Sequence, residues 1–256
     1  MILELGPVAL HYEVAGSAVG ALPVVLSHGV IESSVSWERV VPVLCRQHRV
    51  VVHDARGRGR STGPDRPFGY AELVADVEAL ATHAGIDRLY HAGHSMGARV
   101  ALEHALAHPA RVAGIALVSG RATAPGEAGG QRLANLAQRV DREGPSWGVT
   151  LWARPGQPAY AQARAISAAN PRSGTVRALE ALVAMDDLLP ELGKIHLPVL
   201  IVVGDGDASY VASAREMAEA LPDATLRVLE GVGHFPNLEC PELLGELLVA
   251  HAAECR

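Results

Sequence analysis

The segment that most restricts this chain is Leu89-Tyr90-His91-Ala92-Gly93-His94-Ser95-Met96-Gly97-Ala98-Arg99-Val100. It starts as a short strand-like run, passes through Gly-His-Ser-Met-Gly and continues with Val100, Leu102 and Leu106 at helical spacing. A strand that turns into a helix within so few residues needs positions without a Cβ, which Gly93 and Gly97 supply. Such a turn lifts the Ser95 hydroxyl above a sheet edge, and the helix beginning at Met96 aims its first N–H groups and positive dipole end there. Glycine-rich chains also contain the same pentapeptide as a plain turn. Its meaning therefore depends on what else the sequence brings to that edge.

The surrounding pattern is an alternation of strands and helices. Val24-Val25-Leu26, Val50-Val51-Val52, Ile115-Ala116-Leu117-Val118 and Val199 to Val203 are short, β-branched runs closed by Gly, Asp or Ser, as in buried parallel strands. Leu73, Val77 and Leu80 have the spacing of an intervening helix. Ile2–Leu5 and Ala9–Val14, around Gly6-Pro7, read as a hairpin on the sheet edge. The expected fold is α/β, a doubly wound and mostly parallel sheet. The alternation stops between Arg121 and Ile195, where three helical patterns follow one another: Leu133/Leu136/Val140, Tyr160 to Ala169, and Val176/Leu179/Leu182/Val183. Residues 1–120 and 196–256 are thus expected to form the core and 121–195 an inserted helical lid, entered through a loop over Ala122–Gly130.

At 256 residues and 49% hydrophobic, the chain can bury one large core. The formal charge of -6 gathers into no basic block, which excludes nucleic acid and anionic membrane surfaces as expected partners. The N-terminal residues lack the pattern of a signal peptide and no apolar run is long enough to span a bilayer, so a cytoplasmic protein is expected. Cys45, Cys240 and Cys255 have neither disulfide-framework nor zinc-site spacing, and no metal or cofactor is expected.

A serine hydroxyl is a weak nucleophile at neutral pH and needs a general base, itself oriented by a carboxylate. Of twelve histidines, His234 alone lies in a glycine-flanked loop, Glu230-Gly231-Val232-Gly233-His234-Phe235, directly after a strand-like run, Ala224 to Leu229. Gly204-Asp205-Gly206-Asp207 follows the Val199 to Val203 strand and places acidic side chains at the carboxyl edge, where open α/β sheets hold their sites. The order Ser95, Asp207, His234 is that of the α/β hydrolases.

Along nearly its whole length the chain resembles the α/β-hydrolase fold superfamily, and in its loops the ester hydrolase and enol-lactonase branch. Leu26-Ser27-His28-Gly29-Val30, followed by Ser36-Trp37, resembles the His-Gly-x oxyanion loop, and His53-Asp54-Ala55-Arg56-Gly57-Arg58-Gly59-Arg60-Ser61 matches D-x-R-G-x-G-x-S. The resemblance implies Ser95 as nucleophile, His234 as base and Asp207 as acid, with Asp205 a turn residue. It departs from the family at Asp207-Ala208-Ser209-Tyr210, where relatives often carry proline soon after the acid. It also implies that the backbone N–H groups of Val30 and Met96 form an oxyanion hole, each such donor contributing about 3 to 4 kcal/mol to the barrier reduction. Asp54, Arg56, Arg58 and Ser61 read as residues that fix their loop.

Aromatic residues make up only 4% of the chain, yet Trp147 and Trp152 fall in the lid. With Trp37, Met185 and Phe235 they are the candidate walls of an apolar pocket. Most of the lid's arginines are expected in solvent, and one is available to bind a substrate carboxylate. The expected function is hydrolysis of a small to medium ester or lactone through an acyl-enzyme. A C–C bond, thioester or peracid would suit the same residues, and a non-catalytic small-ligand receptor is the reading from another class. Carboxylate-nucleophile hydrolases are excluded by Ser95, and plant-type hydroxynitrile lyases by Phe235, where they carry lysine. Oligomeric state is not written in the sequence.

Overall fold

The β-branched runs are buried on both faces, the condition under which strands pair in parallel beneath two layers of helices. The computed structural model describes residues 1–17, 20–63 and 66–255. Its eight strands are β1 (Ile2–Leu5), β2 (Val8–Ala15), β3 (Val24–Ser27), β4 (Val50–His53), β5 (Leu89–His94), β6 (Val112–Val118), β7 (Val199–Gly204) and β8 (Ala224–Leu229). They form one sheet in the order β1-β2-β4-β3-β5-β6-β7-β8, parallel from β4 to β8, with β1 and β2 antiparallel at the edge. This is the doubly wound, mostly parallel sheet expected from the sequence, with the hairpin where the sequence pattern put it.

The helices are α1 (Val41–Leu44), α2 (Tyr70–His83), α3 (Met96–Ala107), α4 (Gly126–Glu143), α5 (Tyr160–Ala168), α6 (Arg172–Val183), α7 (Ala208–Ala220), α8 (Pro236–Glu239) and α9 (Pro241–Glu254). Alternate strand residues face opposite sides. Val24, Leu26, Val50, Val52 and Val118 share a buried cluster with Leu44 of α1 and Leu244 and Leu248 of α9. On the other side Val25 and Val51 pack with Leu73, Val77 and Leu80 of α2, and Ile115 and Leu117 pack with α3 and α7. Each such buried aliphatic side chain contributes about 1.5 to 3 kcal/mol. Among the described residues no helix is long and apolar enough to cross a membrane.

Between β6 and β7 the chain forms α4, a 3₁₀ stretch (Pro145–Leu151), α5, α6 and a second 3₁₀ stretch (Leu189–Lys194). Leu133, Leu136 and Val140 of α4 share a core with Leu179 and Leu182 of α6. α4 already begins at Gly126, which corrects the expectation of a loop to Gly130. Glycine content lowers helix propensity there, but packing of the later turns of α4 on α6 overrides it. The start of α6 is tied back to the loop after β4. Asn170 Oδ1 accepts the Gly59 N–H at 2.7 Å, and Arg58, wholly buried, donates to the Thr175 hydroxyl.

The loop after β4 is held from within. Asp54 accepts the N–H groups of Ser34 (2.7 Å) and Arg60 (2.9 Å), Ser61 Oγ donates to the Asp54 carbonyl (2.6 Å), and Arg56 makes a two-pronged pair with Asp76 (2.7 Å each). These are the loop-fixing roles read for Asp54, Arg56 and Ser61 in the sequence. The register that pairs Ser27 with Gly93 and Gly93 with Leu117 brings the carboxyl ends of β3, β5 and β6 side by side. The loops carrying residues 28–30, 95, 119–121, 205–207 and 230–234 therefore all open at one edge.

Candidate active site

Ser95 lies in the turn between β5 and α3 with φ 52° and ψ -110°, a strained conformation for a residue with a side chain. Neighbours on every side hold it there. The Ser95 N–H donates to the Val118 carbonyl at 2.8 Å. A Cβ on Gly93 would lie 2.0 Å from the Gly97 carbonyl oxygen, and one on Gly97 would lie 2.2 Å from that of Ser27. The glycines are required because strand, turn and helix touch through their backbones.

The structure brings Ser95, His234 and Asp207 together from three different loops. The Ser95 hydroxyl faces His234 Nε2 at 3.2 Å, and His234 Nδ1–H donates to Asp207 Oδ2 at 2.5 Å. Burial lowers the His234 pKa against the opposing pull of Asp207, so the ring is neutral at neutral pH with Nε2 free to accept a proton. Asp205 points away and accepts the Gly231 N–H at 2.8 Å, which closes the turn between the two loops. The Val30 and Met96 side chains are buried, and their N–H groups donate to no acceptor among the described residues.

A second buried chain runs beneath the His234 loop. His94 Nδ1–H donates to Glu32 Oε2 at 2.7 Å and Nε2–H donates to the His234 carbonyl at 2.8 Å. Both ring nitrogens meet acceptors, so both carry protons and His94 is an imidazolium. Burial works against that charge, but Glu32 outweighs it and raises the His94 pKa. Burial likewise pushes Glu32 up, while His94, the Asn237 amide (3.0 Å) and the Gly29 N–H (2.6 Å) hold it down at about 2. A Cβ on Gly29 would lie 2.7 Å from that same carboxylate oxygen.

A cavity of about 300 Å³ opens beside Asp207, walled by Trp152, Tyr210, Leu182, Met185, Arg121 and Arg132 among others. Trp152 stacks on the His234 ring (centroids 5.7 Å apart, planes at 21°), and Tyr210 meets the same ring edge-on at 4.5 Å. The Tyr210 hydroxyl accepts Trp152 Nε1–H at 3.3 Å and interacts with the Ser95 hydroxyl.

Of the five residues read as pocket walls, Trp152 and Met185 line this cavity. The other three do not. Trp37 is wholly buried in the cluster with Val24, Leu26 and Leu44, beneath the sheet. Trp147 packs over the core with the Arg139 guanidinium 3.5 Å above its ring. Phe235 is buried 5.1 Å from the His234 ring and 5.6 Å from that of His94, and with His234 and Trp152 it lines a separate cavity of about 160 Å³. Sequence reasoning missed Tyr210, Arg121, Glu32 and His94. For Tyr210 the available signal was the departure from the family pattern after Asp207. For Glu32 it was an acidic residue directly after the apolar Val30-Ile31.

The family model described as alpha/beta hydrolase fold matches residues 23–241. The chain is 31% identical to a provisionally named carbamate hydrolase RutD of Variovorax paradoxus (strain S110), over 88% of this chain and 89% of that one. It is 29% identical to 3-oxoadipate enol-lactonase 2 of Acinetobacter baylyi, over 95% and 92%. Among solved structures, the enol-lactonase of Burkholderia xenovorans LB400 superposes with a TM-score of 0.88 at 26% identity, over 99% of this chain and 100% of that one.

Proposed function

The chain belongs to the α/β-hydrolase fold family, and from that premise we propose that it is a serine hydrolase cleaving small to medium carboxylic esters or lactones through a covalent acyl-enzyme. The observation that carries the reading is the Ser95–His234–Asp207 chain, with its 3.2 Å and 2.5 Å contacts and its neutral base.

In this reading His234 Nε2 takes the Ser95 proton as Oγ attacks the substrate carbonyl, and Asp207 stabilises the imidazolium that forms. The N–H groups of Val30 and Met96 receive the developing oxyanion. Collapse of the tetrahedral intermediate breaks the carbonyl carbon–oxygen bond, and His234 returns the proton to the leaving alkoxide. Water, deprotonated by the same imidazole, then hydrolyses the acyl-Ser95 ester. Residues 121–195 act as the lid, supplying Trp152 and Met185 to the acyl pocket.

The test is release of nitrophenol from p-nitrophenyl acetate and butyrate, with fluorophosphonate labelling. Wild type should exceed Ser95→Ala by at least about a thousandfold, and only wild type should be labelled. Equal rates in the two proteins would overturn the reading. The likeness to the Variovorax protein supports a second one, in which the same serine attacks a carbamate. Higher kcat/KM on an aryl carbamate than on the matched ester would favour it.

A further inference from the structure

β6 is followed by Ser119-Gly120-Arg121, and Arg121 lines the cavity with its guanidinium carbon 5.9 Å from the Tyr210 ring. Guanidinium stays charged at any working pH and offers five donors. At Arg121 these are almost unused. Nη2 reaches the Thr123 hydroxyl at a long 3.4 Å, Nε is buried with no acceptor, and among the described residues no carboxylate pairs with it. The neighbouring Arg99 shows the contrast, since Glu103 and the Ala122 carbonyl each hold it at 2.7 Å.

Arg132, exposed at the mouth, lines the same cavity. The acidic residue in the wall, Asp207, is engaged by His234. Leu133, Leu151, Leu182 and Met185 provide apolar wall between. Tyr210 spans the gap, touching the His234 ring on one side and facing Arg121 on the other. The cavity thus abuts the Ser95–His234–Asp207 chain through Asp207, Trp152 and Tyr210, and carries in its wall apolar side chains and a guanidinium that no carboxylate pairs among the described residues.

We propose that Arg121 binds a carboxylate carried by the substrate, so that the preferred substrate is an anionic ester or lactone with a short apolar spacer between scissile carbonyl and carboxylate. This rests on the serine hydrolase reading above. A carboxylate meets the guanidinium fork through two charge-assisted hydrogen bonds, whereas a neutral ester leaves the buried donors unmet. Discrimination of that kind is stronger than a fit of apolar surface provides.

The experiment compares p-nitrophenyl half-esters of adipic and pimelic acid with p-nitrophenyl hexanoate and heptanoate, in wild type, Arg121→Met and Arg121→Lys. Wild type should prefer a half-ester over its neutral match by about tenfold or more in kcat/KM. That ratio should fall about a hundredfold in Arg121→Met and less in Arg121→Lys. A wild-type ratio of one or below, or a ratio unchanged in Arg121→Met, overturns the proposal while Ser95-dependent turnover leaves the hydrolase reading standing. If neither ester class is turned over, calorimetric titration of Ser95→Ala with adipate decides. Binding that is lost in Ser95→Ala/Arg121→Met supports the anion site and sinks the hydrolase reading alone. Absence of binding overturns the anion site as well.

Discussion

Glu32 holds His94 at 2.7 Å, and the opposite nitrogen of the same ring holds the backbone carbonyl of His234 at 2.8 Å. His94 is thus an ion-paired strut between the Ser95 turn and the loop of His234. It links the turn after β5 to the turn after β8, so the placement of Ser95 and that of His234 depend on one buried charge pair.

Removing one partner of such a pair leaves the other charge buried and alone. Glu32→Gln should lower unfolding free energy by about 3 to 5 kcal/mol, read from urea denaturation. The double variant Glu32→Gln/His94→Asn should recover part of the loss, because no lone charge remains. Additive losses in the double variant would show that the two residues act separately.

In the proposed mechanism the pH dependence of kcat/KM follows from His234. Burial lowers the His234 pKa below its ordinary 6.5, so the catalytically useful neutral ring persists to lower pH and activity falls only as pH drops through that lowered value. The acid limb should therefore lie below pH 6.5 for any neutral substrate. Asp207→Asn removes the group that orients the ring and should reduce kcat by about 10³- to 10⁴-fold. An acid limb above pH 7 would contradict the burial argument.

Stability should have its own pH dependence. His28, His53, His91 and His104 are buried, and burial depresses each, His28 to about 4. As pH falls below 6.5 the unfolded chain takes up protons that these folded rings refuse, so stability is lost, at a limiting slope of about 1.4 kcal/mol per pH unit for a ring while its folded form stays neutral. His94 is raised and stays protonated in both states there, adding no slope. Urea midpoints should fall from pH 6.5 to pH 4.5, and a flat midpoint would refute the account.

The turn at Ser95 tolerates no added carbon. Gly97→Ala would press a Cβ to 2.2 Å from the Ser27 carbonyl oxygen and should cost more than about 3 kcal/mol in a thermal or urea melt. Gly193→Ala meets nothing within 4 Å and should stay within about 0.5 kcal/mol of wild type.

What could be read from sequence was local. β3, β4, β6 and β7 announce themselves as β-branched runs, and the Ser95 turn is written in five consecutive residues. Ser95, Asp207 and His234 are far apart in the chain, but each sits just beyond a recognisable strand, so the sheet edge gathers them. Arg121, Tyr210 and the Glu32–His94 pair also follow strands or motifs, but their significance lies in partners on other elements, which local pattern does not reveal. The same limit applies to Trp37 and Trp147. An aromatic residue near a motif can face the core or the pocket, and local spacing does not say which.

The anchoring of α6 has a mechanical consequence. Its first turns are clamped to the loop after β4 through Thr175 and the adjoining Asn170, while Leu182 and, just beyond its end, Met185 form cavity wall. A helix of 12 residues spans about 18 Å, so α6 carries strain or motion between one end clamped to the loop after β4 and the other packed on α4 in the cavity wall. Changes at Leu182 and Met185 alter the cavity wall about a helix length from the clamp and leave the Ser95 turn untouched, which makes the two separately evolvable.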